Sequence, residues 1–119
     1  MPIQLNTLPL LLTFSVKLII QISGPLHPAL EGGNVTLTCI IQGGYAKPRI
    51  QWFKDKMPLE RETNTTLVLT QIKADDEGKY KTTLVLTQIR ADDEGEYTCQ
   101  AENVLDVAYD SISVIVDSE

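Results

Sequence analysis

The sequence predicts an all-β fold, an antiparallel sandwich or barrel, and three observations carry that expectation. Short segments alternate apolar and polar residues with period two. Gly and Pro pairs separate these segments at short intervals, and no stretch holds a helical 3.6-residue period. A chain of 119 residues, 43% hydrophobic and 22% charged, has room for one such core and not two.

Taken in order, residues 1–15 carry no charged side chain and include the apolar run Leu8 to Phe14, with small residues Thr13 and Ser15 two apart. This pattern reads as a signal peptide, although its start lacks the usual Lys or Arg. Lys17 interrupts the run far short of the roughly 20 residues that a membrane-spanning helix needs. From Val16 the chain alternates: Val16, Leu18, Ile20 and Ile22 against Lys17, Ile19 and Gln21. Pro25 and Pro28 limit that strand to a sheet edge or a broken path. After the Gly32-Gly33 turn, Val35, Leu37, Cys39 and Ile41 share one face and Thr36, Thr38 and Ile40 the other. Gly43-Gly44 and Pro48 punctuate the next gap, after which Ile50 and Trp52 face one way and Gln51 and Phe53 the other. Ile112, Val114 and Val116 close the series, alternating with Ser111, Ser113 and Ile115.

Composition removes several function classes. A net charge of -6 and a pI near 4.7 argue against nucleic acid, whose phosphates require a surplus of Lys and Arg. The single histidine, His27, lies between prolines and has no neighbour with which to form a triad or a multi-histidine metal site. Two cysteines allow one disulfide and exclude a cysteine-rich zinc module. The clusters Asp75-Asp76-Glu77 and Asp92-Asp93-Glu94 lack calcium-loop spacing and read as solvated turns, so no cofactor is expected. Lys47, Arg49, Lys54 and Lys56 are diluted by Asp55 and Glu60 and read as ordinary surface charges rather than a polyanion patch.

Cys39, Trp52 and Cys99 form the most informative constellation. Around them stand Glu31 to Cys39 (EGGNVTLTC), Ile50 to Asp55 (IQWFKD), and Asp93 to Cys99 (DEGEYTC) followed by Gln100-Ala101-Glu102-Asn103. In these stretches the chain resembles the immunoglobulin superfamily, most closely its I-set or short C2-like branches, over residues 16–117. The resemblance implies an immunoglobulin-like β-sandwich with Greek-key connections. It further implies a disulfide between Cys39 and Cys99 linking strands B and F, with Trp52 packed on it, and Tyr97 as a tyrosine corner. Asp93 is then a turn acceptor, and Gly95 permits the entry to strand F. The family's usual Gly in the F–G hairpin is replaced by Val104-Leu105-Asp106, which puts the left-handed conformation on Asp106.

One feature has no counterpart in that pattern. Residues 65–80 (TTLVLTQIKADDEGKY) and 82–97 (TTLVLTQIRADDEGEY) agree at fourteen of sixteen positions, at a period of 17. Two copies cannot build a solenoid. The second copy runs directly into Cys99 and is expected to supply strand E and the E–F turn. Residues 65–81, the near-identical duplicate of 82–98, are then an extra edge strand in the C′/D region or a loop. Residues 118–119 are a tail.

With Trp52, Cys99 and Val114 facing inward, Gln51, Phe53, Gln100, Glu102, Ser113 and Ile115 face outward and form the candidate binding face, with Phe53 and Ile115 as apolar anchors. The resemblance implies a protein partner, homophilic or heterophilic, no nucleic acid, no direct membrane insertion of the mature domain, and no catalysis. The apolar start and the sequons at Asn34 and Asn64 favour an extracellular module for recognition or adhesion, secreted or at the cell surface. Lacking an anchor after Glu119, the chain reads as a fragment or a short soluble form of a multi-domain ectodomain. The competing readings are a structural module of a cytoplasmic sarcomeric or cytoskeletal protein, and the ligand-binding domain of a receptor kinase ectodomain.

Overall fold

The computed structural model describes residues 17–43, 46–59 and 79–117 and, for the backbone and its pairing, 65–68. The proposed leader 1–15, Asn64, the acidic cluster at 75–77 and the tail 118–119 lie outside the described residues. The strands are β1 (Leu18–Ser23), β2 (Ala29–Leu30), β3 (Val35–Gly43), β4 (Arg49–Lys54), β5 (Met57–Pro58) and β6 (Thr65–Val68). There follow β7 (Tyr80–Leu86), a 3-10 turn at Ala91–Asp93, β8 (Gly95–Glu102), β9 (Val107–Val114) and β10 (Val116–Asp117). Two four-stranded antiparallel sheets result, in the orders β1-β3-β7-β6 and β5-β4-β8-β9, with a short parallel ladder joining β2 to β10.

Period-two alternation places Val35, Leu37, Cys39 and Ile41 of β3 and Leu84 and Leu86 of β7 on one inner face. Trp52 of β4, Tyr97, Cys99 and Ala101 of β8 and Val114 of β9 lie on the other. Burying each of the large apolar side chains contributes about 1.5–3 kcal/mol. Cys39 and Cys99 join the sheets covalently, with Cα atoms 6.5 Å apart. Closing that 60-residue span restricts the unfolded chain by about 4 kcal/mol on a chain-entropy model. The buried polar residue of this core is Thr82, directly opposite Cys39, whose Oγ1 accepts the Trp52 indole N–H at 3.2 Å. A buried indole without an acceptor would cost about 1–3 kcal/mol, so a threonine facing inward is what lets tryptophan stand beside the disulfide.

The tyrosine corner is formed: Tyr97 donates its hydroxyl to the Asp93 carbonyl at 2.6 Å. Burial, together with the nearby Asp93 and Asp55 carboxylates, pushes this phenol well above its ordinary value. Asp93 accepts the Arg90 amide at 2.8 Å, and Glu94 accepts the Val116 amide at 2.9 Å. These acids therefore serve as acceptors for turn and strand amides. Gly95 meets a requirement of space: a Cβ there would lie 2.8 Å from an Asp55 carboxylate oxygen, and Asp55 uses that carboxylate to accept the Glu96 amide.

Two expectations are corrected. Asp106 does not take the left-handed conformation; the positive φ values outside glycine fall at Asp55, Lys56 and Gln88 among the described residues. The β8–β9 turn is instead closed by Asn103, whose Oδ1 accepts the amides of Leu105 and Asp106. The last strand also starts earlier than its apolar alternation suggested. Asp110 lies opposite Cys99, on the inward side of β9, where the pattern calls for an apolar residue. Its carboxylate accepts the Ile22 amide at 3.0 Å, and Asp106 accepts the Leu18 amide at 2.7 Å. Two aspartates four residues apart thus cover the open edge of β1, and the β1 path breaks at Pro25–Pro28 before rejoining as β2.

The second copy of the repeat forms β7 and the 3-10 turn, while residues 65–68 of the first copy form β6 at the outside of the same sheet. β7 begins at Tyr80, so the last residues of the first copy, Tyr80 and Lys81, belong to it. Tyr80 packs against the core.

Deleting residues 65–81 removes β6 and the Tyr80 contact but leaves the Cys39–Trp52–Cys99 core. The deleted chain is expected to melt cooperatively by circular dichroism, destabilised by about 1–3 kcal/mol. Loss of a cooperative transition would contradict this. Replacing both Asp106 and Asp110 by Ala should destabilise by about 2–4 kcal/mol, as two buried-edge amides lose their acceptors. Native-state hydrogen exchange should then quicken at Leu18 and Ile22 before the β3 amides, and unchanged exchange there would refute the assignment.

Candidate functional site

The outward side of the β5-β4-β8-β9 sheet carries no core duty, and strand register fixes which side chains share it. Arg49 lies opposite Glu102 and Glu102 opposite Val107. Gln51, Gln100 and Tyr109 make the next row, and Phe53, Thr98 and Ser111 the third. Adjacent strands are about 4.8 Å apart, so Phe53 and Tyr109 stand on the two sides of β8, diagonally across it. Between them runs a shallow groove of about 400 Å³ lined by Phe53, Lys56, Glu96, Thr98, Gln100, Tyr109 and Ser111.

Its walls are aromatic and its floor is polar. Tyr109 is 68% exposed, whereas Phe53 is half-buried. On the floor Thr98 Oγ1 and Ser111 Oγ share a hydrogen bond of 2.7 Å. Lys56 and Glu96 give the groove one charge of each sign. Lys56 is held at the rim by the two-residue turn after β4, where Asp55 and Lys56 have φ of 50° and 71°, the twist that a tight hairpin requires.

The six residues expected on this face do not all meet. Phe53 and Gln100 line the groove; Gln51 and Glu102 share its sheet face beyond the lining, and Glu102 pairs with Arg49 at 3.6 Å. Ser113 lies opposite Glu96 by register but borders a different hollow, of about 120 Å³, formed with Pro25, Leu26, His27, Pro28, Val114 and Ile115. Ile115 is 56% exposed and lies past the end of β9, where its carbonyl accepts the Ala29 amide. It therefore does not stand beside Phe53. The aromatic residue that does line the groove with Phe53 is Tyr109, which apolar alternation beginning at Ser111 does not reach. Asn34 is exposed just before β3.

Nothing in this arrangement assembles a nucleophile with a base. His27 sits in the exposed loop between β1 and β2. Lys54 donates to the Asp92 carbonyl, and Arg49 faces Glu102, so the basic residues of this region do not gather into one patch. Among the described residues no cluster of three His, Cys, Asp or Glu side chains could hold a metal, and no helix is long and apolar enough to cross a membrane.

Comparison with known proteins agrees with this architecture. The chain is 32% identical over 83 residues to the mouse advanced glycosylation end product-specific receptor, covering 64% of the chain and 20% of the receptor. It is 31% identical over 100 residues to mouse V-set and immunoglobulin domain-containing protein 10, covering 79% of the chain and 17% of that protein. The chain thus spans a fifth or less of these relatives. Among solved structures, a titin I-band fragment, I67-I69, superposes with a TM-score of 0.69 at 24% identity, over 85% of this chain and 32% of that one. The Dscam1 Ig7 domain superposes at 0.67 with 20% identity, over 84% and 98%. The family profile described as immunoglobulin domain matches residues 19–103, and with the bridged sandwich in place the chain belongs to that family.

Proposed function

We propose that this chain is a non-catalytic, extracellular recognition module that binds a protein partner through the groove between Phe53 and Tyr109. The observation that carries the reading is the placement of two aromatic side chains in a groove whose other lining residues, Lys56, Glu96, Thr98, Gln100 and Ser111, are polar. Aromatic residues flanked by polar groups are the usual energetic anchors of protein interfaces. An antiparallel sheet with one solvated face needs no aromatic pair there for its own stability. The two curated relatives are a receptor and a protein named for its immunoglobulin domains, which supports the class of activity. The first relative's name describes recognition of advanced glycosylation end products. This chain matches only one fifth of it, so that specificity is not carried over.

An oxidising compartment fits the cross-sheet disulfide, since such bridges persist outside the reducing cytosol. The apolar start of the chain and the exposed sequon at Asn34 point the same way. A cytoplasmic structural module would hold Cys39 and Cys99 as thiols.

Screened against arrayed ectodomains, the multimerised chain should capture a partner. Phe53→Glu or Tyr109→Glu should weaken that capture at least tenfold, while Ile40→Lys on the opposite sheet leaves it unchanged. Capture indifferent to both groove substitutions would overturn the assignment. Trapping free thiols in expressing cells should label neither cysteine, and glycosidase treatment should shift the mobility of the secreted protein. Labelled cysteines would favour the intracellular reading.

A further inference from the structure

We infer that β6 is a self-association edge, along which two copies of this chain pair antiparallel about a two-fold axis at Leu67. Such a pairing is already present within the fold. Residues 65–72 and 82–89 are identical (TTLVLTQI), and in the β6–β7 ladder Leu67 lies opposite Leu84, its own counterpart in the repeat. Thr66 lies opposite Val85, the counterpart of Val68, and Val68 lies opposite Thr83, the counterpart of Thr66. The ladder is therefore a strand paired with a copy of itself, in a register that reads the same from either side. A second molecule offering β6 presents the same sequence to the remaining edge.

The other sheet ends are protected where β6 is not. Folded proteins protect exposed edges with charge, proline, very short strands or covering groups. The edge of β1 is covered by the Asp106 and Asp110 carboxylates, β5 is two residues long and includes Pro58, and β9 lies along β1 and continues into the β10–β2 ladder. Among the described residues β6 is the last strand of its sheet, and it contains Thr, Thr, Leu and Val, with neither charge nor proline. The missing charge is what favours a second copy over a charged partner, because a two-fold axis brings identical residues together and any charge near it would meet its like. Side-chain alternation requires paired residues of equal parity, and the register taken is the one the internal β6–β7 ladder already uses: Leu67 opposite Leu67, and Thr66 opposite Val68 of the second copy. The two β1-β3-β7-β6 sheets then continue into one sheet of twice the width. The Phe53–Tyr109 groove lies on the other sheet and stays accessible.

The test uses the full oxidised chain made in bacteria, which add no N-glycan, because Thr66 completes the sequon at Asn64. Sedimentation equilibrium should show a concentration-dependent monomer–dimer equilibrium. The double variant Thr66→Lys, Val68→Lys places like charges across both pairs and should weaken dimerisation at least tenfold. Thr66→Glu with Val68→Lys places opposite charges there and should retain the dimer. Near-ultraviolet dichroism from Trp52 should be the same in both. Mild oxidation should crosslink Leu67→Cys between copies but not Thr65→Cys, whose own counterpart lies four positions away and beyond disulfide reach. A wild-type chain that stays monomeric, two charge variants that dissociate alike, or equal crosslinking at positions 65 and 67 would each overturn the inference. Should the charge variants fail to fold, the two cysteine variants still decide it.

Discussion

The contact on which the rest of the structure depends is the one made by Cys39, Cys99, Trp52 and Thr82. The disulfide sets the separation of the two sheets, and the indole fills the space beside it. The indole can be buried only because Thr82 offers an oxygen at 3.2 Å. Position 82 therefore has to face inward on the strand opposite Cys39, which fixes the register of β7 on β3 and with it Leu84 and Leu86. A one-residue slip would turn all three outward and leave the Trp52 N–H without its acceptor.

That constraint decides between two nearly identical segments. The first copy has the same TTLVL sequence, and Thr65 has the same chemistry as Thr82, so strand propensity cannot separate the two. What separates them is the chain that follows. After the second copy come Tyr97, whose hydroxyl closes the turn onto Asp93, and Cys99, which makes the bridge. After the first come Tyr80 and, two residues on, Thr82, which cannot form a disulfide. The copy adjoining the cysteine is drawn into the core and the other is left at the margin, where β6 pairs with its twin. Long-range covalent and packing constraints here outrank local sequence, as is usual for strands.

Much of this was legible from residue patterns. Cys39, Trp52, Tyr97 and Cys99 announced the sandwich and its bridge, and alternation gave the inward faces of β1 and β3. The candidate face was legible only in part. Reading outward from Trp52 and Cys99 puts Phe53 and Gln100 on the sheet face where the groove lies, since both lie on long strands of unbroken period. It misplaced Ile115, because the end of β9 gives way there to the β10 ladder and the period no longer counts along one sheet. It missed Tyr109 because Asp110 sits inward, so Val107–Asp110 does not look like a strand until the Ile22 amide that Asp110 accepts is known. The turn at Asn103 was illegible for a similar reason: the family's glycine solution is absent, and a side-chain oxygen accepting two amides does the same work.

Asp106 and Asp110 also explain why the two edges of the β1-β3-β7-β6 sheet differ in character. A carboxylate aimed at a neighbouring strand's free amides satisfies that edge and, by its charge, repels a second strand seeking the same amides. The β1 edge is closed by this means at two points four residues apart, the spacing at which alternate inward positions of β9 recur. The opposite end of the same sheet carries β6, whose four residues repeat Thr82 to Val85, and the repeat brings hydrophobic pattern without edge protection. The core strand TTLVL needs no charge in β7, where both of its edges are paired. In β6, at the margin, its first four residues keep their pairing capacity, with a neighbouring strand on one side only among the described residues. A sequence suited to the middle of a sheet has been set at its edge, and the consequence is an affinity for its own kind.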